Sequence, residues 1–173
     1  MIGKIILTIS FAGILVFVYF SYLAKKSAHG SSPGLSNGLL QKCSGKPNCV
    51  CSDVDVNNSH YIEPLFFAEY NSSNEDKVKQ GQVIWQALMI GIKKYGGVIV
   101  VKKNDYLAAT FTSRFFGFVD DFEARLDIEN STLHFRSASR MGTSDLGINR
   151  KRVLAIQDVI ITTIDVINAR AKK

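Results

Sequence analysis

Residues 118–139 read FVDDFEARLDIENSTLHFRSAS, and this stretch decides the fold. Alternate residues from Phe118 to Leu126 are mostly apolar and the residues between them are mostly charged, which is typical of a half-buried strand. Thr132–Ser139 repeats this alternation, and Asn130 is a favourable residue for the turn between the two halves. The sequence therefore predicts an antiparallel β-hairpin.

The register of this hairpin follows from its two faces. If Asp127 lies opposite Thr132, two apolar pairs and one pair of opposite charges face each other. These pairs are Leu126 with Leu133, Ala124 with Phe135, and Glu123 with Arg136. A shift of one residue would place the members of each pair on opposite faces. Asp120 is the exception, because it lies on the apolar face near Ser137 and Ser139, where a buried carboxylate needs partners.

A polar loop, Met141–Arg150, follows the hairpin and leads into a helix. Asn149 is predicted to cap that helix, which leaves Arg150, Lys151 and Arg152 in its first turn. Cations are unfavourable there because a helix N-terminus is already partly positive. We therefore expect nearby anions to compensate them, either acidic side chains of the chain or a bound anionic ligand.

The charged side chains of the hairpin and loop form the candidate functional site. Arginine binds carboxylates and phosphates bidentately, so the cluster is interpreted as a binding site for an anionic group. A buried ion-pair network that only holds the fold is the structural alternative. The candidate ligand-binding residues are Asp120, Asp121, Glu123, Arg136, Ser139, Arg140, Asp145, Asn149 and Arg150.

An enzymatic alternative uses the same side chains. Asp120 or Asp121 would act as general acid or base beside arginines in hydrolysis of a phosphate or ester. No nucleophile–base pair is recognisable, so no catalytic residue is assigned. No cofactor or metal site is predicted either, because a carboxylate-bound metal would compete with the arginines.

Patterns in the rest of the chain predict an α+β fold. Apolar residues at helical spacing indicate one helix from about Ser73 to Tyr95 and a last helix over Val153–Ala171. β-Branched and aromatic residues indicate strands at Val98–Val101 and Tyr106–Thr112. The sum is an antiparallel sheet of about four strands with two main helices packed on it. Three aromatic residues beside the charged cluster are interpreted as core: Phe115, Phe116 and Phe118.

Residues 1–24 are predicted to form a transmembrane signal-anchor. Residues 5–23 are almost entirely apolar, with Lys4 before them and Lys25 and Lys26 after them. The run is close to the ~20 residues that span a bilayer and exceeds the ~7–15 residues of an ordinary signal-peptide core. A cleaved signal peptide is the alternative.

The remainder divides into a tether and one domain. Residues 25–38 are rich in serine and glycine and predict a flexible tether, whereas residues 39–173 predict a single globular domain. The chain carries a net charge of +6, and some of this excess flanks the apolar run. The charge favours anionic headgroups near a bilayer. Without a basic stripe interleaved with exposed aromatics, it gives no indication of nucleic-acid binding.

All three cysteines lie in one short segment, at positions 43, 49 and 51. Their spacing does not fit a zinc site. Cys43 and Cys49 could close a small loop around Pro47 and Asn48, and Cys51 would remain as a buried thiol or an alternative partner. Such a bridge fits an oxidising compartment.

Three segments together resemble the proteins catalogued as "domain of unknown function 1499": CSGKPNCVCS at 43–52, GFVDDFEARLD at 117–127 and RSASRMGTSDLGINRKRV at 136–153. The resemblance covers about Leu39–Leu154. It implies an exported or membrane-attached protein of a mostly bacterial family, with no established reaction. Cys51 stands where the family suggests serine, which favours Cys43–Cys49 as the disulfide. The family's motif residues are matched here by Cys43, Asn48, Cys49, Asp120, Asp121, Glu123, Arg136, Ser137, Ser139, Arg140, Asp145, Asn149 and Arg150.

The sequence thus predicts a single-pass membrane protein whose domain lies on the extracytoplasmic, periplasmic side. Its expected role is that of a binding or interaction module rather than an enzyme. The expected partners are the membrane, through residues 5–23, and an anionic lipid, an anionic small molecule or an envelope protein. A hydrolase and a purely structural assembly factor are the alternatives.

Overall fold

The computed structural model describes residues 2–68 and 72–171, with side chains described except for residues 2–12, Asn168 and Ala171. The helices of these residues are α1 (Ile2–Ala28), α2 (Asn74–Lys94) and α3 (Ile148–Ala171). The strands are β1 (Leu35–Ser36), β2 (Leu39–Leu40), β3 (Cys49–Cys51), β4 (Leu65–Phe66), β5 (Val98–Lys102), β6 (Tyr106–Thr112), β7 (Val119–Asp127) and β8 (Thr132–Ser139). The fold is α+β, as predicted.

The main sheet is antiparallel and larger than predicted. Its order is β3-β8-β7-β6-β5, and β4 also pairs with β8, which makes six strands in the described part of the chain. The prediction of about four strands is wrong because it missed β3 and β4. All three residues of β3 are buried, so they show no alternation, and β4 has only two residues. Strands β1 and β2 form a separate two-stranded sheet.

The predicted register of the central hairpin is confirmed. Asp127 lies opposite Thr132, and the three predicted pairs of the two faces are all formed. The sheet therefore has two distinct sides, because successive side chains of a strand point to opposite faces. We call the side covered by α2 and α3 the helix face, and the opposite side the outer face.

Helices α2 and α3 pack together over the helix face. Ser73 caps α2 by accepting a hydrogen bond from the Asp76 N–H, and the helix buries Ile84, Leu88 and Ile92 against the sheet and α3. A Cβ atom at Gly91 would lie 3.2 Å from Cγ2 of Ile156, so glycine permits the close approach of the two helices. The resulting core includes Phe122 and Phe135 of the hairpin, together with Leu107, Leu133, Val153, Ile156 and Ile160.

The outer face is covered by the end of α1 and by the residues that follow it, up to β2. Ser27, at the end of α1, accepts a hydrogen bond from the Val119 N–H at 3.0 Å through its hydroxyl, and Leu40 packs with Tyr106 and Ala108. Residues 25–38, predicted as a flexible tether, contain the end of α1 and strand β1. This segment contacts the sheet because it offers hydroxyl and backbone donors to acids of β7.

The predicted membrane span corresponds to most of α1. No helix among the described residues is long and apolar enough to cross a membrane. The side chains of residues 5–12, which belong to the predicted span, lie outside those described.

The interpretation of the three aromatic residues as core is wrong. Phe115 is 85% exposed. Phe116 stacks on Phe20 of α1 with ring centroids 5.1 Å apart, and Phe118 contacts the same ring. The loop before β7 turns back at Gly117, which has φ of 78°, and this turn directs the aromatic side chains toward α1 instead of the core.

Candidate functional site

The candidate residues of β7 lie on both faces of the sheet. Asp121 and Glu123 belong to the outer face, where Arg136 and Arg140 pair with them. Asp120 belongs to the helix face and pairs with Arg152 of α3, with Nη2 and Oδ2 2.8 Å apart. Asp120 and Asp121 therefore cannot act on one substrate as a pair, because the sheet separates their carboxylates.

Glu123 is the centre of the outer-face network and is completely buried. Arg136 donates from Nη1 to Oε2 at 2.7 Å, the Tyr106 hydroxyl donates to Oε1 at 2.7 Å, and the Gly34 N–H donates to Oε1 at 2.9 Å. Burial and the hydrogen bond to Glu123 raise the pKa of Tyr106 above its usual range. Arg136 also donates from Nε to the Gln41 carbonyl at 2.8 Å, so two of its three side-chain nitrogens are bonded within the chain.

Asp121, two residues before Glu123 on β7, is also paired with an arginine on the outer face. Arg140 binds it bidentately, from Nε to Oδ2 at 2.9 Å and from Nη2 to Oδ1 at 2.7 Å. The Ser32 hydroxyl also donates to Oδ1 at 2.8 Å, and Arg140 donates to the Ser27 carbonyl at 3.1 Å. The segment after α1 thus covers this ion pair and links it to the helix.

A third ion-pair group on the outer face was missed by the sequence analysis. Asp53 accepts from Arg125 at 2.9 and 3.1 Å, and Nδ1 of His134 lies 2.8 Å from Asp53 Oδ1. Asp53 lies in a polar loop without a motif. The signal that could have found it is the predicted register, which places two basic side chains, Arg125 and His134, opposite each other on one face.

The charge state of Asp53 should control stability in acid. Burial alone would raise the pKa of Asp53, but hydrogen bonds from His134, Arg125 and the Leu40 N–H outweigh it and lower the pKa below its usual range. A carboxylate with a lowered folded pKa stabilises the protein above its unfolded pKa of ~3.9, and this stabilisation is lost as the pH falls through the folded value.

We expect Asp53→Asn to lower the free energy of unfolding at pH 7 and to flatten its decline below about pH 4. Urea unfolding between pH 7 and 2.5 measures both effects. Asp158→Asn, at an exposed position of α3, is the control and should keep the wild-type slope. An Asp53→Asn profile parallel to that of the wild type would show that Asp53 does not carry the acid sensitivity.

On the helix face, Asn149 joins three parts of the chain. Its side-chain oxygen accepts from the Ser137 hydroxyl and from Nη1 of Arg152, and its amide nitrogen donates to the Asn48 carbonyl and the Ser139 hydroxyl, each at 3.1 Å. The prediction that Asn149 caps α3 is wrong, because the helix already begins at Ile148.

The side chain of Asp145 binds the backbone at the start of α3 instead. Its two carboxylate oxygens accept from the backbone N–H groups of Gly147 and Asn149, at 3.0 and 2.7 Å.

The expected compensation of the positive charges in the first turn of α3 is present for Arg152, which pairs with Asp120. Arg150 is different, because its contact within the described residues is a 3.3 Å hydrogen bond to the Ser59 carbonyl.

Arg150 lines a small pocket between the cysteine segment and the start of α3. The pocket has a volume of about 200 Å³. His60 lies in its wall, with Nδ1 3.0 Å from the Cys49 carbonyl. Pro47, Cys49, Asp145 and Asn149 also line the pocket. We call this cavity the Arg150 pocket.

The disulfide that the resemblance favoured is present. Cys43 and Cys49 are bonded, and Cys51 is a free, buried thiol. Burial raises the pKa of Cys51 to about 11, which disfavours the thiolate that a nucleophile requires. The described residues contain no group of three or more His, Cys, Asp or Glu side chains that could hold a metal ion.

The fold thus divides the nine predicted site residues into three groups. Asp121, Glu123, Arg136 and Arg140 lie under the segment after α1. Asp120, Ser139 and Asn149 lie around Arg152, a residue absent from the predicted set. Asp145, Asn149 and Arg150 line the Arg150 pocket, with Asn149 common to two groups.

Comparisons with known proteins agree with the resemblance in the sequence. The family model described as "Protein of unknown function (DUF1499)" matches residues 39–160, from β2 to α3. No curated protein and no solved structure matches the chain. The match covers most of the chain and contains the sheet, the disulfide and the Arg150 pocket. The protein belongs to the family described as "Protein of unknown function (DUF1499)".

Proposed function

We propose that this protein is a membrane-attached binding module of the extracytoplasmic side, which holds a small anionic group in the Arg150 pocket. One observation carries the proposal: the cysteine segment and the loop before α3, about a hundred residues apart in sequence, line a single pocket. Among the described residues, Arg125, Arg136, Arg140 and Arg152 have carboxylate partners, whereas Arg150 bonds to a backbone carbonyl.

The chemistry of the pocket suits a phosphate or a carboxylate. Arg150 supplies a guanidinium fork, the group that recognises both anions bidentately. His60 directs Nδ1 to the Cys49 carbonyl oxygen, so this nitrogen is the donor in that hydrogen bond. Asp145 already accepts two backbone N–H groups, which lowers its competition for the guanidinium. The volume fits one small anionic group rather than a large ligand.

Three features support attachment to a membrane on the oxidising side. The apolar run of residues 5–23 has lysines on both flanks. Residues 14–20 of α1 are all apolar and exposed, which is unfavourable in water. The Cys43–Cys49 disulfide fits an oxidising compartment.

The contacts of the acidic residues favour binding over hydrolysis. A general acid or base must reach the substrate, but Asp121 is buried under Ser32 and Arg140. Asp120 lies on the other face and is paired with Arg152. The carboxylate pairs are therefore better suited to holding the fold than to proton transfer.

Calorimetric titration of the full chain in lipid nanodiscs, with inorganic phosphate and separately with acetate, tests the proposal. We expect saturable binding of at least one anion and at least tenfold weaker binding by Arg150→Ala, because a hydrogen bond to a charged group contributes ~1.5–3 kcal/mol. Lys151→Ala removes an exposed positive charge from the next residue and should bind like the wild type. Absence of saturable binding to the wild type, or equal losses in both variants, would refute the site.

A further inference from the structure

An aromatic loop lies beside α1 where this helix leaves the domain. Phe116 of this loop stacks on Phe20 at 5.1 Å and contacts Phe17 at 6.1 Å between ring centroids. Phe115, next to it, is 85% exposed and contacts the Phe116 ring at 5.0 Å. An exposed phenylalanine leaves a large apolar surface in water, which is unfavourable relative to burial. We call residues 113–117 the aromatic loop.

The position of the aromatic loop along α1 is fixed by contacts between the end of α1 and the domain. The end of α1 is joined to β7 through Ser27 and to the Asp121 ion pair through Arg140. Ala24 and Ser27 are both buried against the domain. The helix is thus hydrogen-bonded to the sheet at Ser27 and stacked on the aromatic loop at Phe20. These two contacts give the helix and the domain one relative orientation.

The position of the lysines sets the depth of the loop in a bilayer. Phe17 and Phe20 precede Lys25 by eight and five residues, which corresponds to about 8–12 Å along a helix with a rise of 1.5 Å per residue. The headgroup layer of one leaflet is roughly 5–8 Å thick, given ~30 Å of hydrocarbon in a bilayer of ~40–45 Å. If Lys25 and Lys26 lie among the headgroups, the aromatic loop reaches the edge of the hydrocarbon.

We propose that the aromatic loop is a second membrane contact, in which Phe115 inserts into the same leaflet that α1 enters. The inference rests on the membrane attachment in the proposed function and adds to it a fixed orientation of the domain on the bilayer. The Arg150 pocket is not part of this argument.

The surface around the loop fits lipid better than a protein groove. Seven consecutive residues of α1, 14–20, are exposed and apolar, so the apolar surface surrounds the helix instead of forming one stripe. Positive side chains lie beside it, where they can reach lipid phosphates: Arg114, Lys25 and Lys26, all exposed. An aromatic and basic rim around an apolar helix is typical of the membrane–water interface.

Quenching of tryptophan fluorescence by lipids brominated on their acyl chains tests this contact in the full chain. Phe115→Trp places a probe in the loop, and the native Trp85 is buried in the core. Phe66→Trp is the matched control, because Phe66 is also exposed and pairs with Thr132 at the far end of the hairpin. The eight residue steps of β7 put that end about 26 Å from Val119.

We expect all three proteins to float with the vesicles and Phe115→Trp to be quenched at least twofold more than Phe66→Trp and the wild type. Equal quenching of the two variants in floating protein would overturn the loop contact and leave the attachment by α1 in place. Failure of the wild type to float would overturn both. Quenching of Phe115→Trp that Phe66→Trp does not share would establish the contact.

Discussion

Replacing Glu123 by alanine is expected to lower the free energy of unfolding by about 3–5 kcal/mol, the usual cost of removing one partner of a buried ion pair. The substitution leaves Arg136 charged and buried, and it removes the acceptor of the Tyr106 hydroxyl and of the Gly34 N–H. The midpoint of thermal unfolding should fall by roughly 10 °C or more. Urea unfolding followed by the fluorescence of the buried Trp85 measures the change.

Glu129→Ala is the control for this prediction, because Glu129 is an exposed acid in the turn of the same hairpin. Its effect should stay within about 0.5 kcal/mol. A loss below 1 kcal/mol in Glu123→Ala would contradict the structural role of the outer-face network.

The second large effect is expected for Asn149→Ala, with a loss of about 2–4 kcal/mol. The substitution removes four hydrogen bonds that join α3, β8 and the cysteine segment. Each buried partner left unsatisfied costs ~1–3 kcal/mol, although such costs do not add fully. Calorimetric unfolding measures the stability, and amide exchange of β3 and the first turn of α3 shows whether the loss is local.

Asn57→Ala is the matched change in an exposed loop and should be nearly neutral. Wild-type exchange rates in Asn149→Ala would contradict the linking role of Asn149. The comparison with Arg150→Ala is informative, since Asn149→Ala should weaken both stability and anion binding. Arg150→Ala should weaken binding alone, because its side chain is partly exposed and outside the ion-pair network.

The hairpin could be predicted from the sequence because its determinants are local. Alternation along Phe118–Asp127 and Thr132–Ser139 fixes which side chains share a face, and only one register pairs like with like. The pairing of Glu123 with Arg136 follows directly from that register. The same alternation placed Asp120 on the helix face, where it pairs with Arg152.

The remaining contacts could not be predicted because they depend on chain segments without a periodic pattern. Gly34 and Ser32 reach acids 89 residues away through loop conformation, and a composition rich in serine and glycine indicates only flexibility. Strand β3 is buried on both sides and three residues long, so it resembles any short apolar run. Asp145, four residues before Asn149, was not recognised as the residue whose side chain binds the backbone at the start of α3.

These contacts change the interpretation of the arginine cluster. The sequence groups Arg136, Arg140 and Arg150 as one anion-binding set, but the fold gives the first two their own buried carboxylates. Pairing of this kind holds a loop or a face in one arrangement and leaves little affinity for a further anion. The candidate binding site is therefore smaller than predicted. It lies in the Arg150 pocket, at the end of the loop Met141–Arg150 that is farther along the chain from Arg140.

Native mass spectrometry of the full chain, released from membranes of its own host without reductant, tests the central claim most directly. The account predicts a bound anionic adduct, such as a phosphate-bearing or carboxylate-bearing small molecule, that persists in Lys151→Ala and is lost in Arg150→Ala. The mass of the adduct would distinguish a lipid headgroup from a free anion. A bare wild-type mass, or an adduct retained equally by both variants, would contradict the claim that the Arg150 pocket is a binding site.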